Sequence, residues 1–545
     1  MTNRYECWAP PTGTLSRRRL LGGAGRALAL GMAGPGLAAA LAGCSRSRTR
    51  ERPRLSTDLV RGSLRVALDA DIETLDPAMH RSRQVEAVVR NICDGLVTRD
   101  AEMRYVPQLA ESWRMEGDTR WVFTLREDVE FHNGDSFTAE DVKFTLDRIL
   151  GKIEGLPPSP RKDLLGPVAS VEVVDPHTVA IITEEPYPIL HKQLVFQEIV
   201  PKAHFEKVGH EAFARHPVGT GPFRFVEWRP GERIVLERFD GYYGGSPDVP
   251  PVAPAKLSGV IFRPLEEAAT RLASLEAGDV HVVAAVPPHQ AQHVDQMANV
   301  HLASVQGTRT FFVGANCARP PFSDVRVRQA VRLAMDPEPI VKQFLSGRAT
   351  AIPGILVPAT FGYDATLPAP RRDVRRAKEL LKAAGHGDGL EVTFDCDAND
   401  KSVAEAVAGT LSAAGIHAKV RVWKSANLLN QLRRGERDLF LTAWGNSSLD
   451  PSGILPVLFR SDGYSNFFGY RNPEVDRLLH EAERTLDNAA RSRKYVRVQQ
   501  ILHRDVPTCF HYVMEELYGV ADAVENFHAR ADGMLHMHDV GLKSR

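Results

Sequence analysis

The chain has 545 residues, with 68 lysines and arginines against 68 aspartates and glutamates and 43% hydrophobic residues. At roughly 150 residues per domain this is two to four domains, and its apolar content excludes a disordered chain. The one charge asymmetry lies at the start, where Arg4, Arg17, Arg18, Arg19 and Arg26 stand against Glu6; the remainder is mildly acidic, with no basic footprint for nucleic acid.

Residues 1–44 read as an export address in three parts. A polar stretch ends in Ser16-Arg17-Arg18-Arg19-Leu20-Leu21, a Gly/Ala/Leu-rich segment follows, and Leu41-Ala42-Gly43-Cys44 closes it. The uncharged run 27–43 contains Pro35 and falls short of the roughly 20 strongly apolar residues of a membrane span. The first pattern resembles a twin-arginine export signal and the last a bacterial lipobox. Together they imply cleavage before Cys44, lipidation of its thiol and attachment to a membrane by lipid alone. Residues 45–62 are Arg-rich and aperiodic, as a flexible tether is. Cys93, Cys317, Cys396 and Cys509 have no metal or C-x-x-C spacing and are expected as free, mostly buried thiols.

The body opens with a strand at 64–68, followed by a helix predicted over 85–96 and closed by Gly95. Trp121, Phe123 and Leu125 alternate as a strand. Thr138 with Asp141 makes a capping box ahead of Val142, Leu146, Ile149 and Leu150, which share one helical face. Hairpins are predicted over 170–174 with 178–183 and over 223–228 with 233–239, and a further strand over 259–263. Ser323 is the expected cap of a helix reaching Ala330, with Arg326 and Arg328 on solvent or interdomain faces. In the second half Leu390, Val392, Phe394 and Cys396 alternate as a strand. Ser402 and Glu405 cap a helix that Gly415 ends, and Ile416, Ala418, Val420 and Val422 alternate again. This β-α-β unit requires a mixed or parallel sheet. Asn472-Pro473 opens another helix, with Val475, Leu478, Leu479 and Ala482 inside.

The sequence holds no G-x-x-x-x-G-K-[ST], H-E-x-x-H or G-x-S-x-G pattern, so neither an enzyme nor a cofactor is expected. His536-Met537-His538-Asp539 reads as a solvated tail, and His132 as a structural histidine.

Several stretches together resemble the extracytoplasmic solute-binding proteins of family 5, the peptide/nickel-type substrate-binding subunits of ABC importers. They are Thr74-Leu75-Asp76-Pro77-Ala78, Pro107-Gln108-Leu109-Ala110-Glu111-Ser112-Trp113, Phe123 through Gly134, Pro217-Val218-Gly219-Thr220-Gly221-Pro222-Phe223, Phe322 through Ala330, and Tyr470-Arg471-Asn472-Pro473. The resemblance implies a type II periplasmic-binding-protein-like α/β fold, with two α/β lobes joined by hinge crossovers and an extra α+β domain. Lobe I would comprise 63–82, 170–305 and 505–545, the extra domain 83–169 and lobe II 306–504. It further implies a monomer that captures a small-molecule or oligopeptide solute, with an ABC permease and ATPase subunits as partners and no metal. Candidate ligand-binding residues are Asp76, His80, Trp444, Asn446, Ser447 and Asp450, the last four at the end of a strand predicted over 438–442. Trp444 has an alternative as simple edge packing. In dipeptide-binding relatives an Asp three residues after the matching Trp pairs with the peptide's α-ammonium, and here that place is Ser447. Either Asp450 takes over that role or the ligand lacks a free α-ammonium.

Overall fold

The computed structural model describes residue 59 and residues 62–246 and 254–543. Arg17, Arg18, Cys44 and nearly all of the expected tether lie outside the described residues, although Leu59 packs with Val235 and Ile261.

Strand β1, Ser63–Leu68, is buried on both faces: Leu64, Val66 and Leu68 enter one core and Ala67 another. A strand covered on both sides reads as a continuous apolar run, as here. Helix α1, Arg83–Val89, starts at Ser82, whose hydroxyl accepts from the Val85 N–H, and packs into the β1 core. It is shorter than the predicted 85–96, ending at Val89 with Arg90 as its cap, while Gly95 bridges Glu198.

A four-stranded antiparallel sheet follows, built from β2 (Ala110–Glu116), β3 (Arg120–Leu125), β4 (Val168–Asp175) and β5 (Thr178–Thr183) in the order β2-β3-β5-β4. Helix α2, Ala139–Leu150, covers it, with the Thr138 N–H donating to Asp141 Oδ2 at 2.9 Å. This sheet runs across the expected boundary at 169/170. α1 belongs to the β1 core, while the β4–β5 hairpin is hydrogen-bonded to β3, and Leu190, Leu194 and Ile199 join its core.

The chain then returns to the first sheet through β6 (Phe223–Arg229), β7 (Arg233–Arg238), β8 (Gly259–Pro264) and β9 (Val282–Val283). Before β6 the backbone passes so close to Ile92 that a Cβ on Gly219 would lie 2.2 Å from the Ile92 carbonyl oxygen. His132 Nε2 bonds the Gly221 carbonyl at 2.9 Å, the structural role expected of it.

β10, Val300–Ala315, and β14, Thr508–Ala521, are the long strands common to both lobes. Between them lobe II contributes α3 (Val325–Ala334), the parallel unit β11 (Leu390–Asp397), α4 (Lys401–Ser412) and β12 (Ile416–Trp423), and then β13 (Leu439–Gly445), α5 (Pro473–Arg484) and α6 (Asn488–Asp505). The resulting sheet runs β12-β11-β13-β10-β14-β9-β1-β8-β7-β6, with Ala349–Ala351 added on β14. Two caps differ from expectation. Asp324, not Ser323, accepts from the Arg326 N–H, and α4 begins at Asp400, ahead of Ser402. At α3 the Asp324 carboxylate, one residue from the expected hydroxyl, accepts the orphan N–H, whereas Asp400 makes no side-chain cap bond. Arg326 is exposed, but Arg328 is buried and donates to the Phe322 and Asp505 carbonyls, holding the helix start to the end of α6.

The tail is the largest departure. Leu535, Met537 and Val540 fill the β1 core, and the rings of His536 and His538 lie 5.4 Å apart within the fold. Burial, with Arg530 adding, holds His538 down to about 4, so it is neutral. Cys93, Cys317, Cys396 and Cys509 are free. No helix among the described residues is long and apolar enough to cross a membrane.

Candidate functional site

Thr308 and Arg309 of β10 line the hinge end of a cleft of about 960 Å³ between the lobes. β10 has a register shift between Gln306 and Thr310 in its pairing with β14, and from Arg309 onward it also pairs with β13. A bulge at such a point re-aims a side chain, and Arg309 is the residue it turns into the cleft. Opposite Arg309 on β13 stands Gly445. A Cβ at Gly445 would lie 4.0 Å from Arg309 Nε and Nη2.

The loop after β13 carries the predicted residues. Asn446 and Ser447 line the cleft. The Asn446 backbone N–H donates to the Thr308 carbonyl at 3.1 Å, and its side-chain Oδ1 accepts from the Ser448 hydroxyl at 3.0 Å. Its Nδ2 is buried with no partner. The Ser447 carbonyl accepts from Arg99, and the Ser448 carbonyl from the Tyr105 hydroxyl, tying this loop to the opposite wall.

The other four predicted residues lie off the cleft surface. Trp444 donates its indole N–H to the Gly453 carbonyl at 2.9 Å and packs toward Tyr464, the edge-packing alternative. Asp450 is 0% exposed and is held by Arg491 Nη1 at 2.9 Å and Lys192 Nζ at 2.9 Å. Burial alone would raise its carboxyl, but the Arg491 and Lys192 cations hold it well below the usual carboxylate range. Asp76 is likewise sealed, pairing with Arg148 and accepting from the Ala78 N–H at 3.0 Å. His80 accepts at Nε2 from Arg161 at 3.0 Å, and burial followed by the Arg161 charge holds it down to about 3. These are wall-building roles.

Sequence reading missed the arginines. Arg81, Arg83, Arg99, Arg161, Arg309, Arg460, Arg484 and Arg491 all line the cleft. They come from separate elements and share no local motif, so no window of sequence announces them. Seven are paired: Arg81 with Asp163 at 3.6 Å, Arg83 with Glu516 at 2.8 Å, Arg99 with Asp532 at 3.0 Å, Arg161 with Glu198 at 2.9 Å, Arg460 with Glu483 at 2.9 Å, Arg484 with Glu185, and Arg491 with Asp450. Glu86 completes the buried network behind Arg161, bonded to Arg90 Nε at 2.7 Å. Burial and the neighbouring Glu86 charge push Glu198 upward, while against the same burial the Arg161 and Arg90 cations hold Glu86 well below the usual carboxylate range. Among the described residues no cluster of His, Cys, Asp and Glu is arranged to hold a metal ion.

Residues 104–466 match the bacterial extracellular solute-binding proteins, family 5, middle region. The chain is 29% identical over 457 residues to the glutathione-binding protein GsiB of Shigella boydii serotype 4 (strain Sb227), covering 81% of this chain and 87% of that one. Among solved structures it is similar to the periplasmic binding protein DppA from Helicobacter pylori in complex with the peptide STSA, with a TM-score of 0.73 at 24% identity over 89% of this chain and 98% of that one. NikZ from Campylobacter jejuni in complex with Ni(L-His) gives a TM-score of 0.74 at 22% identity, over 88% and 99%.

Proposed function

We propose that this chain, which belongs to family 5 of the bacterial extracellular solute-binding proteins, is the substrate-binding subunit of an ABC importer, capturing a peptide-like solute between its lobes for delivery to a membrane permease. The observation that carries this reading is the cleft of about 960 Å³ that opens against β10, one of the two long strands common to both lobes. Its size suits a ligand larger than a single amino acid, near the upper end of the roughly 300–1,000 Å³ of small-molecule sites. Two strands are a compliant connection, and domain closure around a ligand is a known use of such hinges. The glutathione and STSA ligands named for two similar proteins support a peptide-like solute here.

Closure is driven only by a ligand's preference for the closed state. Solution scattering of the purified protein, with and without the solute that native mass spectrometry finds co-purifying with it, is expected to show a smaller radius of gyration when bound. An unchanged radius at saturation rejects the clamp.

The same reading places the protein outside the cytoplasm, held to the membrane by a lipid on Cys44 after export through the Arg17-Arg18 signal. Two acyl chains suffice for stable anchoring without a helix. Cell fractionation of Cys44→Ala is expected to find the protein soluble or unprocessed. A processed Cys44→Ala protein that stays membrane-bound through its N-terminus rejects the lipid anchor.

A further inference from the structure

We propose that the hinge end of the cleft is a carboxylate-binding subsite formed by Arg309 and Asn446, and that the solute is an anion whose capture needs no free ammonium group. This rests on the solute-clamp reading and names the chemistry of its ligand.

Three observations converge on it. First, Arg309 is the one arginine of the cleft with no carboxylate within 4.0 Å among the described residues. It is open to the cleft lumen yet closely surrounded by protein; burial, then the nearby Arg83 charge, lowers its pKa. Glu516, which offsets this, is already bonded twice by Arg83, at 2.8 and 2.9 Å. Asp400, whose field also reaches Arg309, is not on the cleft surface.

Second, Asn446 is only 5% exposed and presents an unpartnered Nδ2. Its orientation is set, since Oδ1 is occupied by the Ser448 hydroxyl at 3.0 Å, leaving the NH₂ group as the free end. Asn446 follows Gly445, the residue opposite Arg309, so both donors start from one point of the sheet.

Third, the carboxylates on the cleft surface are all engaged. Glu86, Asp163, Glu185, Glu483 and Asp532 pair with Arg90, Arg81, Arg484, Arg460 and Arg99. Ser447, on the cleft surface beside Asn446, offers only neutral groups, and its carbonyl already accepts from Arg99. A solute ammonium finds no unpaired anion on this surface. A solute carboxylate finds a planar guanidinium fork and an amide donor, both of which lack a partner without it. Leaving the buried Asn446 amide donor unpaired is unfavourable, and an anion held there relieves it.

Isothermal titration and melting shifts with four pools of one mixed tripeptide library test this: amino terminus free or acetylated, crossed with carboxyl terminus free or amidated. A fifth pool contains short mono- and dicarboxylic acids. The acetylated, free-carboxyl pool is expected to bind at least as tightly as the unmodified one, and amidation to abolish binding. Arg309→Gln is expected to weaken binding about ten- to hundred-fold while leaving the unliganded melting temperature unchanged or raised, a combination that a merely structural residue does not give. Binding that needs the free amine, that survives amidation, or that Arg309→Gln leaves intact overturns the proposal while the peptide reading stands. Binding of the carboxylic acids alone, lost in Arg309→Gln, sustains the subsite and overturns the peptide reading. No binding by any pool overturns both.

Discussion

Asp450→Ala is expected to destabilise the protein by about 3–5 kcal/mol, the usual cost of removing one partner from a buried ion pair. Arg491 is only 1% exposed and bonds both oxygens of this carboxylate, so its charge would be stranded in the core. Lys192, on the other side of the cleft, loses its ion pair as well. The carboxylate also accepts from the Ser452 N–H at 3.2 Å and hydroxyl at 2.8 Å, ordering the turn after the cleft loop. Denaturant unfolding measures the loss. The double variant Asp450→Leu with Arg491→Met is expected to recover most of it, since a well-packed apolar pair is often no worse than a buried ionic one. A single variant within about 1 kcal/mol of wild type is incompatible with this account. Any loss of solute binding in Asp450→Ala is then expected to follow from a loosened wall, because the carboxylate does not reach the cleft surface.

Asp532→Ala is expected to cost a similar 3–5 kcal/mol and to act on a defined segment. Asp532 is 1% exposed, forms an ion pair with Arg99 Nη2 at 3.0 Å and accepts from Arg530 at 3.1 Å through each oxygen. Burial pushes its carboxyl up, but Arg530 and Arg99 more than offset this and hold it well below the usual range. It also accepts from the Met534 N–H at 3.1 Å, which turns the chain so that Leu535 and Met537 enter the β1 core. Hydrogen exchange is expected to show residues 530–540 losing protection together, with Arg99 losing its hold on the cleft. Unchanged protection there contradicts the role assigned to Asp532.

Local elements were legible wherever neighbours in sequence are neighbours in space. Alternation at Leu390, Val392, Phe394 and Cys396, repeated at 416–422 with a helix between, determined the parallel β-α-β unit. The Pro-containing turns at 176 and 230 determined both hairpins, and Asn472-Pro473 the start of α5, where Asn472 accepts from two backbone N–H groups. The ordered stretches from Thr74 to Pro473 were enough for the family, and through it for the two-lobe fold. The cap slipped by one residue at Ser323, because the adjacent Asp324 accepts the orphan N–H, and the helix expected to start at Ser402 takes Asp400 as its cap residue.

Tertiary structure decided what depends on distant partners. The β4–β5 hairpin looks the same in sequence whichever sheet receives it; pairing with β3 placed it in the second domain. The polar tail at 536–539 became core because Asp532 could meet Arg99, 433 positions earlier in the chain. Asp450 and Arg309 show the same rule at the site. A carboxylate beside a cleft loop reads as a ligand anchor until Arg491 and Lys192 arrive from other elements and seal it. An arginine in the middle of a strand reads as an ordinary exposed residue until folding gives the seven other cleft arginines a carboxylate and leaves this one without. Whether a charge is spent on the wall or free for a solute is a property of pairing across the fold, and one-dimensional spacing does not encode it.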